Sequence, residues 1–297
     1  MNVNKIKIGT RGSRLALIQT NLVIGALQQK YPEIECEIVI IHTTGDKILD
    51  KPLLEFGGKG VFVTEFEEAI LRDEIDFAVH SAKDMPMELL DGLEIIGVLK
   101  REDPRDVLIT RQSTKLDEIE LPVIGTSSLR RQVQIEQIYN NVKCCSLRGN
   151  VDTRLRKLAE GNYDGIILAA AGIKRLGLDE ELDFQYRYLE VDELIPAGGQ
   201  GIIAIEGKRN GKLNELWNNI SDSKAKMELA MERRALELFS AGCNEPIGVY
   251  AKVYEDMVTI RMMKMMNGKI VKRVESTTLE KRWELLESMV NHILEDF

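Results

Sequence analysis

Little in this 297-residue chain suggests a metal centre, a membrane span or a disulfide framework. Four cysteines (Cys36, Cys144, Cys145, Cys243) are too few to staple a fold of this length, and no CxxC pair occurs. With only three histidines, a cysteine/histidine metal site is not expected. The longest apolar run, Ile166–Ile173, has eight residues and contains a glycine, whereas a helix crossing a bilayer needs about 20. Met1–Lys7 lacks the apolar core of a signal peptide. No GxGxxG follows a predicted strand and no Walker loop is present, so nucleotide cofactors lose support. Aromatic residues make up 5% of the chain, and 40 Lys and Arg are outnumbered by 48 Asp and Glu. The net charge of −8 argues against a nucleic-acid partner. The expected setting is cytoplasmic and reduced, with no membrane partner.

What is present can build a real core. The chain is 44% hydrophobic and 30% charged, and its length suits two or three domains of roughly 100–150 residues. Arginine is concentrated where the net charge would not predict it: Arg130, Arg131, Arg148, Arg154, Arg156 and Arg175 fall within one stretch. The planar guanidinium fork binds carboxylate or phosphate through two parallel hydrogen bonds, so a small anionic ligand is expected there. Any single one of these arginines could equally lie on a solvated helix face.

The periodicity predicts an α/β fold. Strands are expected at Lys5–Gly9, Glu35–Ile41, Ile75–His80 and Leu93–Leu99. Helices are expected after the cap Ser13 and over Thr64–Arg72. A charged, proline-containing stretch, Lys100–Arg105, reads as a hinge before a second α/β round. That round has strands near Asp106–Thr110, Val123–Gly125, Val142–Leu147 and Gly165–Ala169, and helices near Ser128–Tyr139 and Val151–Glu160. After the glycine-rich Pro196–Gly201, the strand Ile202–Ile205 is expected to rejoin the first sheet. A helix from Asp222 to Phe239, three alternating segments and a closing helix Leu279–Leu294 follow. The closing helix is expected to bury Trp283, Leu286, Val290 and Ile293, and the strand methionines Met262, Met263, Met265 and Met266 are read as core and edge filler. The domains expected are therefore 1–99 with 200–218, 100–199, and 219–297. The first two would be mostly parallel α/β domains flanking a cleft, and the last a small α+β domain with a three-stranded antiparallel sheet.

Six motifs carry chemistry. Gly57-Gly58-Lys59-Gly60 could cradle an anion, and residues 46–60 read as a lid. His80-Ser81-Ala82-Lys83-Asp84 ends a predicted strand, where α/β proteins bind ligands. There Asp84 could stabilise a developing cation or move a proton, or equally cap the turn before Pro86, while His80 reads as a satisfied buried histidine. Gly125–Arg131 and Arg148–Arg154 each join a strand to a helix with hydroxyls and arginines in the first turn, and Arg11-Gly12-Ser13 is a third such turn. Cys36, Cys144 and Cys145 lie on predicted strands and read as inert. Cys243, in the loop Ser240–Gly248, is the one cysteine expected to serve as an attachment point or nucleophile.

Together these motifs resemble the porphobilinogen deaminase family over nearly the whole chain. The likeness runs in order through Arg11-Gly12-Ser13 with Gln19, Thr43–Asp46, Gly57–Gly60 and His80–Asp84. It continues through Arg101–Asp106, Gly125–Arg131, Arg148–Arg154, Gly199-Gln200-Gly201, Glu232-Arg233 and Gly242-Cys243. The resemblance implies two periplasmic-binding-protein-like domains and a third carrying a cysteine that holds a dipyrromethane cofactor by a thioether. It implies head-to-tail addition of four porphobilinogens with loss of ammonia, then hydrolytic release of linear hydroxymethylbilane. Asp84 would be catalytic, and the acetates and propionates of the pyrroles would meet Arg11, Arg130, Arg131, Arg148, Arg154 and Arg175. Ser13, Gln19, Ser81, Lys83, Thr126, Ser128, Gly149 and Gln200 would assist, with Lys59 on the lid. A monomer is expected, with room for hand-over of product to the next pathway enzyme. Two departures stand out: Glu245 would put an acid beside the cofactor anchor, and Gly199 would loosen a hinge where the family has proline. An anion receptor without catalysis and a transferase with a turning-over cysteine are the competing readings. The first leaves Cys243 and Asp84 without a role, and the second predicts adducts that vanish with the substrate.

Overall fold

The computed structural model describes residues 5–43, 63–240 and 245–297. The chain divides into two compact units, Met1–Glu102 with Ile202–Leu229, and Asp103–Gly201 with Ala230–Phe297.

The first unit is built on a five-stranded sheet. Strands β1 (Lys5–Thr10), β2 (Glu35–Ile40), β3 (Phe77–Ser81), β4 (Leu93–Val98) and β10 (Ile203–Lys208) lie in the order β2-β1-β3-β10-β4. β1 runs parallel to β2 and β3, whereas β10 is antiparallel to both its neighbours. The return strand thus rejoins the first sheet as its pattern suggests. Helix α1 (Arg14–Lys30) starts where the Ser13 hydroxyl accepts the Ala16 N–H, and it buries Val23 and Leu27 against Ile6, Ile8 and Trp217. Helix α2 (Thr64–Leu71) packs Phe66, Ala69 and Ile70 over Ile75 and Ala78.

The second unit repeats that order. Strands β5 (Asp106–Arg111), β6 (Val123–Gly125), β7 (Lys143–Cys145), β8 (Gly165–Ala169) and β9 (Phe184–Leu189) are arranged β7-β6-β8-β5-β9. β5 is the reversed strand, in the position that β10 occupies in the first sheet. Helices α3 (Leu129–Ile138), α4 (Val151–Ala159) and α5 (Ala170–Leu176) follow β6, β7 and β8. The apolar run Ile166–Ile173 is thus a strand that turns straight into α5, a break that hydropathy alone does not show. β9 and the short α6 (Asn214–Asn218) are not among the expected elements, although β9 alternates half-buried aromatic with exposed polar residues from Phe184 to Tyr188; α6 has one buried residue, Trp217.

Helix α7 (Ser223–Leu238) begins in the first unit and ends in the second. Strands β11 (Ile247–Tyr254), β12 (Met257–Met266) and β13 (Lys269–Thr278) form an antiparallel sheet, and α8 (Arg282–Glu295) packs on β12 and β13. Met262 and Met263 are fully buried, and Met266 lies at the exposed end of its strand. The expected stripe of α8 is corrected at one position. Met289 joins Leu286, Val290 and Ile293 in the core, while Trp283 is 37% exposed with the Arg282 guanidinium 5.1 Å from its ring.

No described helix is long and apolar enough to cross a membrane, and no metal-binding cluster of His, Cys, Asp and Glu occurs among the described residues.

Candidate functional site

In the first unit the polar turns sit at the carboxyl ends of the neighbouring parallel strands β1 and β3, where strand termini and helix N-termini leave backbone groups unspent. Arg11 and Ser13 follow β1. Ser81 closes β3, and Lys83 and Asp84 lie on a single 3-10 turn, Ala82–Asp84. The turn is fastened from behind: Ala82 N–H donates to the Ile202 carbonyl at 3.0 Å, and Ala82 and Met85 are buried beside Ile202 and Ala204. Buried Gln19 ties the two strand ends together, its Nε2 lying 2.9 Å from the Ser81 hydroxyl. Gln19 therefore positions Ser81. Asp84 itself is exposed and makes no hydrogen bond with the described residues, so its carboxylate is available to a ligand. His80 is the satisfied residue its pattern suggests, with Nε2 3.0 Å from Oε2 of fully buried Glu206 and the Phe66 ring edge-on. Nearby Glu67 has its pKa raised by burial and by the Glu206 charge, against the Leu90 N–H that it accepts and the pull of His80.

In the second unit the turns after β6 and β7 lie side by side. Ser127 joins them: its hydroxyl accepts the Leu147 N–H at 3.0 Å and lies 2.9 Å from the Ser146 hydroxyl. Asn150 caps α4 by accepting the Thr153 N–H at 2.8 Å. Gly149 has φ +115°, and a Cβ there would stand 2.8 Å from Thr153, so only glycine serves. Its carbonyl accepts Arg154 Nε at 2.7 Å and the Arg148 carbonyl accepts Lys157 Nζ, which leaves the half-buried Arg148 guanidinium with no partner among the described residues. Arg175, on α5, donates Nη2 to the Gly201 carbonyl at 2.7 Å. Thr126 is buried, its hydroxyl accepting the Ser128 N–H, while the Ser128 hydroxyl is unengaged by the described residues.

Arg130 and Arg131 depart from a simple pair of ligand arginines. Both are buried and converge on Asp106, the first residue of β5, which is fully buried. Arg131 donates Nε and Nη2 to Oδ1 at 2.9 and 2.7 Å, and Nη1 to the Ile167 carbonyl at 3.0 Å. Arg130 donates Nη1 to Oδ2 at 2.7 Å and to the Ile195 carbonyl at 2.8 Å. Burial pushes the Arg130 guanidinium's pKa down, and the Asp106 charge opposes it. Gln200 is also fully buried, its Nε2 donating to the Pro104 carbonyl at 2.7 Å and to Asp106 Oδ1 at 3.1 Å. It reaches this cluster rather than solvent. In the sequence Asp106 is merely the start of a strand and the end of the Arg101–Asp106 motif. The available signal is a single acid leading the apolar run Val107–Ile109.

The two departures have partners in the structure. Glu245 is paired with buried Lys264 at 2.9 Å, so its charge is neutralised within the sheet. Gly199 has φ +77° and donates its N–H to Glu232 at 2.6 Å. A proline could do neither. Cys36, Cys144 and Cys145 lie on strands; burial and the charge of Glu136 push the Cys144 thiol up to about 12, which keeps it inert. Cys243, Lys59 and the lid 46–60 fall outside the described residues.

A group bearing several carboxylates fits these residues. The open guanidinium of Arg148, the unengaged edge of Arg130 and the Ser128 hydroxyl are donors waiting for acceptors. The doubled strand order, with basic, hydroxyl-bearing turns at parallel strand ends, defines an α/β protein built on two like-ordered five-stranded sheets and a small antiparallel third. Residues 6–215 match the family model described as porphobilinogen deaminase, dipyromethane cofactor binding domain, and the chain belongs to the porphobilinogen deaminase family. It is 39% identical to the porphobilinogen deaminase of Clostridium acetobutylicum, over 98% of this chain and 99% of that protein. The porphobilinogen deaminases of Brevibacillus brevis (46% identity, 86% of this chain, 82% of that one) and Sulfurimonas denitrificans (41%, 95% and 91%) are similar too. Among solved structures, the second substrate binding domain of a putative amino acid ABC transporter from Streptococcus pneumoniae aligns with 78% of this chain and 97% of that chain, at 14% identity and a TM-score of 0.46. The chain is thus an enzyme of this family, a transferase of tetrapyrrole synthesis with a dipyrromethane cofactor domain.

Proposed function

We propose that this chain joins four porphobilinogens head to tail, with one ammonia lost at each addition, and releases linear hydroxymethylbilane by hydrolysis. Cys243, in a third domain over 219–297, would hold the dipyrromethane by a thioether. When bound, that group supplies the free pyrrole position on which the chain grows. The observation that carries the assignment is the set of unspent donors at the strand ends of the second unit: the Arg148 guanidinium, the open edge of Arg130 and the Ser128 hydroxyl. They suit acetate and propionate side chains, whose charge accumulates as the product lengthens, and explain basic turns in a protein of net charge −8. Arg11, Arg154, Arg175, Lys83, Ser13 and Thr126 would share this work. Asp84, exposed and without a hydrogen bond to the described residues, would face the positive charge that develops as ammonia leaves and accept pyrrole N–H groups. We further assign the chain to the cytoplasm as a monomer acting on porphobilinogen.

Intact-mass measurement with peptide mapping tests the assignment. The purified chain should exceed its sequence mass by two porphobilinogens less two ammonias, located on Cys243, and Cys243→Ser should lack the excess. A chain that gains no mass on incubation with porphobilinogen or preformed hydroxymethylbilane would instead be an anion-binding protein without this chemistry.

A further inference from the structure

Two guanidinium groups share one carboxylate in the second unit. Asp106 accepts two N–H groups from Arg131, one from Arg130 and one from Gln200, at 2.7–3.1 Å, with no exposure to solvent. Counting charges, two cations and one anion leave the buried cluster with one positive charge in excess. A charge out of water is costly unless paired, so the cluster gains when an outside anion approaches. The geometry says where. Arg131 has Nε, Nη1 and Nη2 all engaged and serves as a bracket. Arg130 has only Nη1 engaged, by Asp106 and the Ile195 carbonyl, and its Nε and Nη2 have no partner among the described residues. Asp106 holds one end of that guanidinium, so the other edge is fixed in direction before any ligand arrives. Gln200 in turn fixes Asp106, being tied to the Pro104 and Arg105 carbonyls at 2.7 and 3.3 Å.

We propose that Asp106 is a positioning residue for carboxylate recognition, aiming the Nε/Nη2 edge of Arg130 at an acetate or propionate of the pyrrole ligand. This rests on the function proposed above. Misplacement of a binding group by about 1 Å can cost on the order of a hundredfold in rate, so a small shift of the Asp106 carboxylate should be visible.

The test uses the full chain with Asp106→Asn, which removes the charge, and Asp106→Glu, which keeps it on an arm one methylene longer. Apo-protein is incubated with preformed hydroxymethylbilane and covalent loading is followed by intact mass; KM and kcat for porphobilinogen are then measured per loaded molecule. Folding is checked by circular dichroism. Loading should slow by about tenfold or more in both folded variants, with KM raised more than kcat is lowered. The effects of Asp106→Glu and Arg130→Lys on loading should be non-additive, since one residue acts through the other. Should Asp106→Asn fail to fold, Asp106→Glu with the Arg130→Lys cycle decides the matter. Folded variants that load at the wild-type rate, or strictly additive effects, would overturn the role of Asp106 alone. A wild-type chain that never loads would overturn the proposed function and this proposal with it.

Discussion

Glu232 offers the sharpest stability test, because a single buried carboxylate joins three segments of the second unit. It projects from α7, is fully buried, and accepts the Gly199 N–H at 2.6 Å and the Ala251 N–H at 2.8 Å. Glu232→Ala removes both acceptors and leaves two buried amides that water cannot reach. Each such orphan costs about 1–3 kcal/mol, so the loss should be about 4 kcal/mol. At about 2–4 °C per kcal/mol for a unit of this size, the melting temperature should fall by roughly 10 °C. Glu232→Gln keeps one oxygen and turns an N–H against the other amide, so it should cost about half as much. Guanidinium unfolding of the three proteins, followed by far-UV circular dichroism, measures the differences directly. A change below about 1 kcal/mol for the alanine variant would refute the reasoning, since it would mean the two amides find other partners. Gly199 adjoins Gln200, which holds Asp106, so Glu232→Ala should also slow cofactor loading.

Two further predictions follow from individual side chains. Burial would raise the pKa of Asp103, but Arg105 and Lys174 outweigh it with hydrogen bonds at 2.8–3.1 Å and hold it well below the usual carboxylate range. A depressed folded pKa adds stability above the unfolded value of about 4, and that stability is lost as pH falls below it. The melting-temperature gap between wild type and Asp103→Asn should therefore be full at pH 7 and shrink through about pH 4 to 2, and a constant gap would contradict the ion-pair account. Asp84→Asn should leave melting unchanged, because Asp84 is exposed and makes no hydrogen bond with the described residues, while kcat falls by about a hundredfold. A kcat within about threefold of wild type would remove Asp84 from the chemistry.

The doubled α/β order was legible because both rounds alternate clean apolar strands with capped helices, as at Ser13 with α1 and Asn150 with α4. The strand-end turns were legible too, since arginines and hydroxyls following a strand have few other uses. α6 escaped because it has no dominant apolar face, whereas β9 carries the alternation of a strand, Phe184, Tyr186 and Tyr188 against Gln185 and Arg187, on a face that is only half-buried. Trp283 was misplaced on the buried face because size and apolarity do not reveal which side of α8 meets the sheet.

The positions that carry charge, the glycine turns and the order of motifs are properties of the chain, and they suffice to place it in its family. Which arginine is open to a ligand is not such a property. Arg130 and Arg131 are adjacent and chemically identical, and their difference arises only when Asp106, from a strand more than 20 residues earlier, and Gln200, far later, meet them in the core. The same holds for Gly199, whose N–H finds its acceptor in Glu232, 33 residues later. Local spacing encodes helices, strands and caps because those interactions span a few residues. The partner of a buried charge is chosen by packing across the whole unit, and only the tertiary structure decides it.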